Sequence, residues 1–484
     1  MKNKWRMPHP ATLFFLLTLG IVFCSWICEI YGLKVVLPNT GQELRVQSLL
    51  SPEGIRWWLR HSISNFTSFS PLGMVIIALF GLGVAQHSGL INACIRRGIG
   101  EKGNPKAIII GVIFLGLLSN AVGDGGYILL LPIAAVLFQW VGLHPIAGII
   151  TAYVSVACGY SANIFLSTMD PLLANLTQEA ALEEIGYQGN TEPLCNYFFM
   201  SASTFVLAGV IYVITRRWLL PSMGEYQGEV RVEDYKQLSR KERRALIISL
   251  VVLGLYTALI LFLTFSSYGI LRGVNGGIMH SPFIAGILFL ISLGIGITGL
   301  TYGIYSGRYH RDSEIVEGFV QPIKMLASFF IIAFFAAQMF ACFDYSHLDK
   351  YIAVVAVNWF ASFNFSILPE LIVFILVVTL VNLIMVSATG KWGFMAFIFI
   401  PLFAEKGISP EVVQCAFRIG DSATNAITPF LFYMPLVLVY MQQYTKRVSY
   451  GTLFKYTWRY SLAILVVWTL LFMLWFVLKW PVGL

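Results

Sequence analysis

The sequence predicts an all-α polytopic membrane protein with about nine transmembrane helices and two oppositely oriented re-entrant hairpins, built as an inverted-repeat secondary transporter. Three observations predict it. Of 484 residues, 57% are hydrophobic and 12% charged, about half the charge of a soluble domain and too little to cover a soluble core. The apolar residues cluster in segments near 11–33, 70–94, 107–118, 127–138, 143–166, 197–215, 245–266, 281–303, 325–343, 371–386, 393–404, 412–442 and 460–479. The basic residues alternate between the connecting stretches, as topology requires.

Composition excludes disorder, a disulfide scaffold and an ordinary cytosolic enzyme. The net charge of +8 reads as a membrane-topology signal rather than nucleic-acid binding. The seven cysteines are scattered, with no Cys-x-x-Cys and no Cys/His cluster, so neither a zinc site nor a disulfide framework is indicated. The first apolar stretch is long enough to span and reads as a retained helix, not a cleaved signal.

The runs 107–118, 127–138 and 393–404 have twelve residues each, reaching ~18 Å against a hydrocarbon core of ~30 Å. They read as half-spans joined by polar tips, giving hairpins over 107–140 and 366–404; two tilted full helices each is the alternative. Stretches 1–10, 95–106, 216–244, 304–324 and 443–459 hold 22 of the 32 Lys and Arg residues, while loop 167–196 has five acids and no base. The basic group is therefore cytoplasmic. The first hairpin enters from inside and the second from outside; the N-terminus is cytoplasmic and the C-terminus external. The chain is one transporter domain: a first repeat over about 70–215, a basic cytoplasmic link at 216–244 and a second repeat over about 325–479.

Both repeats carry the same order of features. Ser119-Asn120-Ala121-Val122-Gly123-Asp124 heads an apolar run with Pro132, then Gly159-Tyr160-Ser161-Ala162-Asn163. Ser387-Ala388-Thr389-Gly390-Lys391-Trp392 heads a run with Pro401, then Gly420-Asp421-Ser422-Ala423-Thr424-Asn425. A hairpin followed by a helix interrupted by small polar residues, twice and in opposite orientation, marks an inverted-repeat carrier. Close packing of small residues is the plainer reading of either half alone.

Broken helices free backbone groups that hold anions at half-helix N-termini and cations at carbonyls. The cation-coupling candidates are Ser119, Asn120, Asp124, Ser161, Asn163, Asp170 and Asp421. The substrate-binding candidates are Thr389, Gly390, Lys391, Trp392, Arg418, Ser422, Asn425 and Pro429. Ionisable residues at membrane depth are costly and functional by default. Arg418 and Asp421, three apart on one helix face, are expected to pair with one another. Asp170 is placed at the end of the first interrupted helix. Trp392 is a candidate stacking surface for a ligand ring, with packing as the alternative. No catalytic residue, cofactor or structural metal is expected. A P-loop is excluded because Met385 stands where its first Gly belongs and Trp392 where its Ser/Thr belongs. Energy then comes from an ion gradient, Na⁺ or H⁺, or from the solute's own gradient.

The chain resembles the AbgT family through His9-Pro10-Ala11-Thr12-Leu13, Asn65-Phe66-Thr67-Ser68-Phe69-Ser70-Pro71-Leu72-Gly73, Asp124-Gly125-Gly126-Tyr127, His144-Pro145-Ile146-Ala147-Gly148, Ser161-Ala162-Asn163, Asp170-Pro171-Leu172-Leu173 and Gly420-Asp421-Ser422. The resemblance spans nearly the whole chain. It implies a homodimer in a bacterial inner membrane, each protomer with nine helices and two opposed hairpins, as in the dicarboxylate carriers of the ion transporter superfamily. It also implies p-aminobenzoyl-glutamate or related aromatic amides and dicarboxylates as solutes. Cation-coupled efflux of sulfonamide-like antimetabolites is the alternative within the class. Residues that matter in relatives correspond to Asp170, Trp392, Arg418 and Pro429 here, and Pro410 falls where relatives have a proline. The rival from another class, a membrane-embedded lipid-modifying enzyme, would need acid, base or metal groups gathered at one cavity. The neutral, duplicated polar groups favour the carrier.

Overall fold

The computed structural model describes residues 8–38, 40–98, 103–187, 191–226, 238–266, 269–273, 277, 281–361, 366–445 and 448–484. Parts of the sequence-predicted loops, at 1–7, 99–102, 188–190, 227–237 and 446–447, lie outside the described residues. Among the described residues, seven helical segments are long and apolar enough to cross a membrane: Pro10–Ile30, Pro52–His87, which breaks at 68–69 into Pro52–Thr67 and the apolar Ser70–His87, Tyr197–Met223, Arg240–Phe265, Ile287–Ser306, Ala327–Ser346 and Tyr450–Val477.

Helix starts follow from local chemistry. Asn104, His144, Ser281 and Ser409 each precede a proline that opens a helix, where the missing N–H costs nothing and φ is preset. Asn104 and His144 also accept a hydrogen bond from the backbone N–H two residues on. Ser239 and Glu242 close a capping box at the start of Arg240–Phe265.

The first short-helix pair is Pro105–Ser119 and Gly126–Trp140, turning at Gly123 with φ of 72°, a conformation that only glycine adopts freely. The second pair is Ile367–Asn382 and Ala388–Ala404. At ~1.5 Å per residue each arm reaches only ~22–26 Å. Behind each pair runs a helix that stops and restarts. Pro145–Ala157 gives way to non-helical chain over 158–168 before Met169–Ile185. Likewise, Pro410–Ala423 breaks before Met434–Gln442.

In both halves of the chain the first helix of the short pair and the broken helix approach closely, and a glycine permits it. A Cβ on Gly116 would lie 2.5 Å from the Ser155 Cβ, and one on Gly420 would lie 2.6 Å from the Ile375 carbonyl. Substitution at either site would push the two helices apart.

Segments expected on the same membrane face touch one another. On one face Arg96 pairs with Glu242 at 3.8 Å, Lys241 lies against Gly307, and Tyr226 meets both His144 and Tyr444. On the other, the backbone N–H of Leu484 donates to Leu194 and that of Phe199 to Val482. There also, Gln47 N–H donates to the Ser346 carbonyl, beside the small antiparallel ribbon Lys34–Val36 with Glu43–Arg45. That ribbon and the amphipathic helices Pro52–Thr67, Asp312–Met325 and Leu348–Ala361 go beyond the apolar segments read from sequence.

Candidate functional site

The two breaks face each other in the core. The Cys158 thiol donates to the Ala423 carbonyl at 3.3 Å, and the Tyr153 hydroxyl donates to the Asn425 carbonyl at 3.4 Å. Four charged side chains are buried around this junction: Asp170, Lys391, Arg418 and Asp421 are 7%, 0%, 2% and 1% exposed. Unpaired, any of them would be severely destabilising. They form two ion pairs. Lys391 Nζ lies 2.8 Å from Asp421 Oδ1, and the Arg418 guanidinium donates to Asp170.

That pairing corrects the sequence expectation. Arg418 and Asp421 sit one helical turn apart, but each has its partner on another element: Asp170 from the first repeat and Lys391 from the second hairpin. Asp170 also opens a helix rather than ending one. It lies in the first turn of Met169–Ile185, where Oδ2 accepts from the Ser167 N–H at 2.6 Å and its hydroxyl at 2.9 Å, a capping arrangement that suits an anion at a helix N-terminus. The signal for it was Ser-Thr-Met-Asp-Pro directly after the polar interruption.

At the second tip, Lys391 also donates to Asn382 Oδ1 at 2.5 Å, and the Asn382 amide donates to Thr424 Oγ1 at 3.1 Å and Asn425 Oδ1 at 2.8 Å. Asn382 thus ties the hairpin to the second break. Sequence reading passed over it, although a single Asn closing an otherwise apolar run was the available signal. Two of the tip N–H groups expected to be open are occupied: Gly390 N–H donates to Ser387 Oγ and Lys391 N–H to the Ser387 carbonyl. Thr389 and Pro429 are half-buried and Gly390 is exposed. Ser422 is buried and donates to the Arg418 carbonyl. Trp392 is completely buried, its ring 4.5 Å from that of Phe417 and its N–H on Thr177; in this arrangement it presents no face to a ligand.

The first tip is filled differently. Ser119 donates to the Gly116 carbonyl at 2.7 Å, and Asn120 to the Val156 carbonyl at 3.1 Å. Ser161 is buried, and Asn163 donates to the Tyr160 carbonyl. Among the described residues the side-chain oxygens of Asn120 and Asn163 are buried without a hydrogen-bond partner, in the region where cation coordination was expected. Asp124 accepts from the Tyr433 hydroxyl at 3.0 Å, and the Tyr433 ring stacks on Tyr127 at 4.8 Å. Tyr433 belongs to the second break, so it joins one repeat's hairpin tip to the other repeat's broken helix. A narrow crevice lined by Asn163, Asp170, Asn196, Tyr197 and Arg418 leads to the Asp170–Arg418 pair.

A polytopic helical core whose junction buries four charges on two broken helices and the start of a short helix has the features of a broken-helix membrane transporter. The AbgT transporter family's model matches residues 3–484, and the chain belongs to that family. It is 32% identical over 479 residues to the p-aminobenzoyl-glutamate transport protein of Escherichia coli K12, covering 99% of this chain and 94% of that one. Two solved structures are similar. The YdaH transporter of Alcanivorax borkumensis is 33% identical with a TM-score of 0.55, covering 99% of this chain and 100% of that one. MtrF of Neisseria gonorrhoeae, described among a class of antimetabolite efflux pumps, is 36% identical with a TM-score of 0.53, covering 98% and 96%. The protein is a multi-pass membrane transporter and not an enzyme.

Proposed function

We propose that this chain moves p-aminobenzoyl-glutamate or related aromatic amides and dicarboxylates across the bacterial inner membrane, driven by a proton or sodium gradient. The relationship to the Escherichia coli protein supports the solute class. The observation that carries the mechanism is the pair of buried ion pairs joining the two broken helices and the second hairpin. Among the described residues Arg418 Nε is buried with no partner of its own, so a solute carboxylate can take this donor while the other end of the guanidinium keeps Asp170. Asp170 and Asp421 are already neutralised by bases. Asp124 meets only a tyrosine hydroxyl among the described residues, which makes it the better-placed acid for a coupling cation. The orphan oxygens of Asn120 and Asn163 support cation binding in the same repeat.

The architecture we propose counts the two interrupted helices with the seven long apolar segments as nine crossings, and the two short-helix pairs as opposed re-entrant hairpins. The face-by-face contacts support a cytoplasmic N-terminus and an external C-terminus once the basic stretches are placed inside. The functional unit is a homodimer. Efflux of antimetabolites is the second reading, favoured by the similarity to MtrF. Counterflow of labelled p-aminobenzoyl-glutamate in proteoliposomes, with sodium and pH varied separately, tests the proposal. Exchange that follows one gradient supports it, and absence of exchange under both gradients refutes it. Impermeant labelling of cysteines placed in 216–244 from outside intact cells would overturn the orientation.

A further inference from the structure

Asn196 stands at the N-cap of the Tyr197–Ile214 helix, but its side chain makes no capping bond. An N-cap asparagine ordinarily accepts from an N–H two or three residues into its helix. Here the Phe199 N–H, third in the helix, donates to the Val482 carbonyl at 3.0 Å instead. The Asn196 amide nitrogen donates to the Glu411 carbonyl at 2.8 Å. That bond fixes the direction of the side chain, because a flipped amide would set two oxygens against each other. Among the described residues Asn196 Oδ1 is buried without a partner, on a residue 1% exposed. A buried acceptor without a donor is costly and calls for a reason.

The reason lies in what stands beside it. Asn196 lines the same crevice as Asp170 and Arg418, and Arg418 Nε is the unpartnered donor there. The turn at 193–196 is docked on the helix that carries Arg418. Glu411 belongs to that helix, Pro410–Ala423, and so does Gln414, whose Oε1 accepts from the Cys195 thiol at 3.6 Å. Residues 482–484 clamp the turn from another side: a Cβ on Gly483 would lie 2.2 Å from the Cys195 carbonyl carbon, and the Leu484 N–H donates to the Leu194 carbonyl. One crevice therefore holds an unpaired acceptor and an unpaired donor in a fixed relation. A cation would suit the amide oxygen but not the guanidinium, and a lone carboxylate would suit the guanidinium but not the oxygen. An N-acyl amino acid satisfies both, because its amide N–H and its α-carboxylate leave the same carbon.

We infer that Asn196 is a specificity-determining residue, whose Oδ1 accepts the amide N–H of an N-acyl amino acid while Arg418 Nε donates to its α-carboxylate. The inference rests on the proposed binding of a solute carboxylate at Arg418 and narrows the solute class: the crevice selects N-acyl amino acids over carboxylates that lack the N–H. Both atoms are closed to water in this conformation, so the solute meets them when the crevice opens during the transport cycle.

The test uses purified full-length protein in proteoliposomes and two inhibitors of labelled p-aminobenzoyl-glutamate counterflow. One is unlabelled p-aminobenzoyl-glutamate; the other is its ester analogue, in which an oxygen replaces the amide N–H. The unmodified protein is expected to prefer the amide by roughly tenfold to a hundredfold, since the ester leaves the buried acceptor unpaired. Asn196→Ala should bring that ratio to within about twofold, chiefly by weakening the amide. Asn196→Ser keeps an oxygen able to cap the helix but lacks the reach into the crevice, so it gives the same result and serves where Asn196→Ala is unstable. A merely structural role would weaken both inhibitors alike and leave the ratio as it was. No preference in the unmodified protein, or an unchanged ratio in both Asn196 variants, overturns the inference. So does a ratio that survives in the Asn196 variants and collapses in Asn163→Ala, which would give the N–H to the other orphan oxygen on this crevice. Failure of the carboxylate reading shows separately: Arg418→Lys then leaves both inhibitors unchanged, and the inference falls with it. If Arg418→Lys weakens both while the Asn196 variants keep the ratio, the inference alone fails.

Discussion

The first hairpin tip is held by carbonyl acceptors and one tyrosine hydroxyl, whereas the second is pinned by a buried lysine that meets an aspartate and an asparagine at once. Both tips precede a broken helix, and both backbones come together at a glycine. The difference lies in what fills the same outline. Both buried bases of the junction, Lys391 and Arg418, come from the second repeat, while the first contributes Asp124 and Asp170. In the proposed function, a duplicated scaffold would present anion-binding donors on one side and cation-binding acceptors on the other. The Asp170–Arg418 pair is where the two meet.

The largest effect tests whether the second tip depends on its ion pair. Asp421→Asn leaves Lys391 as a fully buried base without its carboxylate, an imbalance costing about 3–5 kcal/mol. A large drop in melting temperature in detergent is expected, together with loss of counterflow. Lys391→Met combined with Asp421→Leu removes both charges and should recover most of the stability, since apolar replacement of a buried pair is often neutral, yet leave transport absent. A double variant that transports normally would reduce the pair to a packing device.

Arg418→Lys is the next test. It keeps the charge and loses the planar fork that can hold Asp170 and a solute carboxylate together. Losing one charge-assisted contact costs ~1.5–3 kcal/mol, so affinity for p-aminobenzoyl-glutamate should fall roughly tenfold to a hundredfold. Binding measured on purified protein decides it, and unchanged affinity in a folded variant removes Arg418 from the binding site.

How much of this was legible beforehand differs between the fold and the site. Membrane helices leave a long apolar record, so Pro10–Ile30 and Arg240–Phe265 stand close to the segments read at 11–33 and 245–266. The short apolar helices and both interruptions are visible because runs of this length are too short to span and small polar residues stand out against hydrocarbon. The amphipathic Pro52–Thr67 helix carries no such record, since Arg56, Arg60 and His61 dilute its hydropathy. The site was legible as a set of residues but not as a set of partners. Spacing along one helix brought Arg418 and Asp421 together on paper. Their actual partners lie far away in sequence, at Asp170 and Lys391, and no local pattern encodes such pairs. Thr177, Asn382 and Gln414 escaped for a related reason: one polar residue in an amphipathic or apolar helix becomes informative only when its neighbour across the core is known.

A smaller effect is expected where the repeats touch at the first tip. Tyr433→Phe removes the hydroxyl that donates to Asp124 but keeps the ring stacked on Tyr127. The loss should be about 0.5–1.5 kcal/mol. If Asp124 serves the coupling cation, the change should appear mainly as a shifted sodium or proton dependence of transport, with solute affinity within about twofold. A change confined to solute affinity would assign the first tip to the solute and erase the contrast between the repeats.

The smallest expected effect sits at the base of the second hairpin. Lys406, just beyond Ala388–Ala404, pairs with Glu370 in the first turn of Ile367–Asn382. The pair clasps the two arms at the end opposite Lys391. Among the described residues the first hairpin has no ion pair across its arms; its tight glycine turn brings them together instead. Glu370 is fully buried, while Lys406 keeps about a fifth of its surface exposed. Lys406 can therefore reach water when its partner is neutralised, as long basic side chains do near membrane interfaces. Glu370→Gln keeps a hydrogen-bonding oxygen for Lys406 and removes only the charge, so stability should fall by no more than ~1 kcal/mol with counterflow close to that of the unmodified protein. Glu370→Ala additionally leaves a gap between the arms and should cost more. If Glu370→Gln instead abolishes counterflow in a protein that melts normally, the hairpin's base takes part in the transport cycle. The clasp would then be a moving part, and the second repeat would differ from the first in mobility as well as in charge.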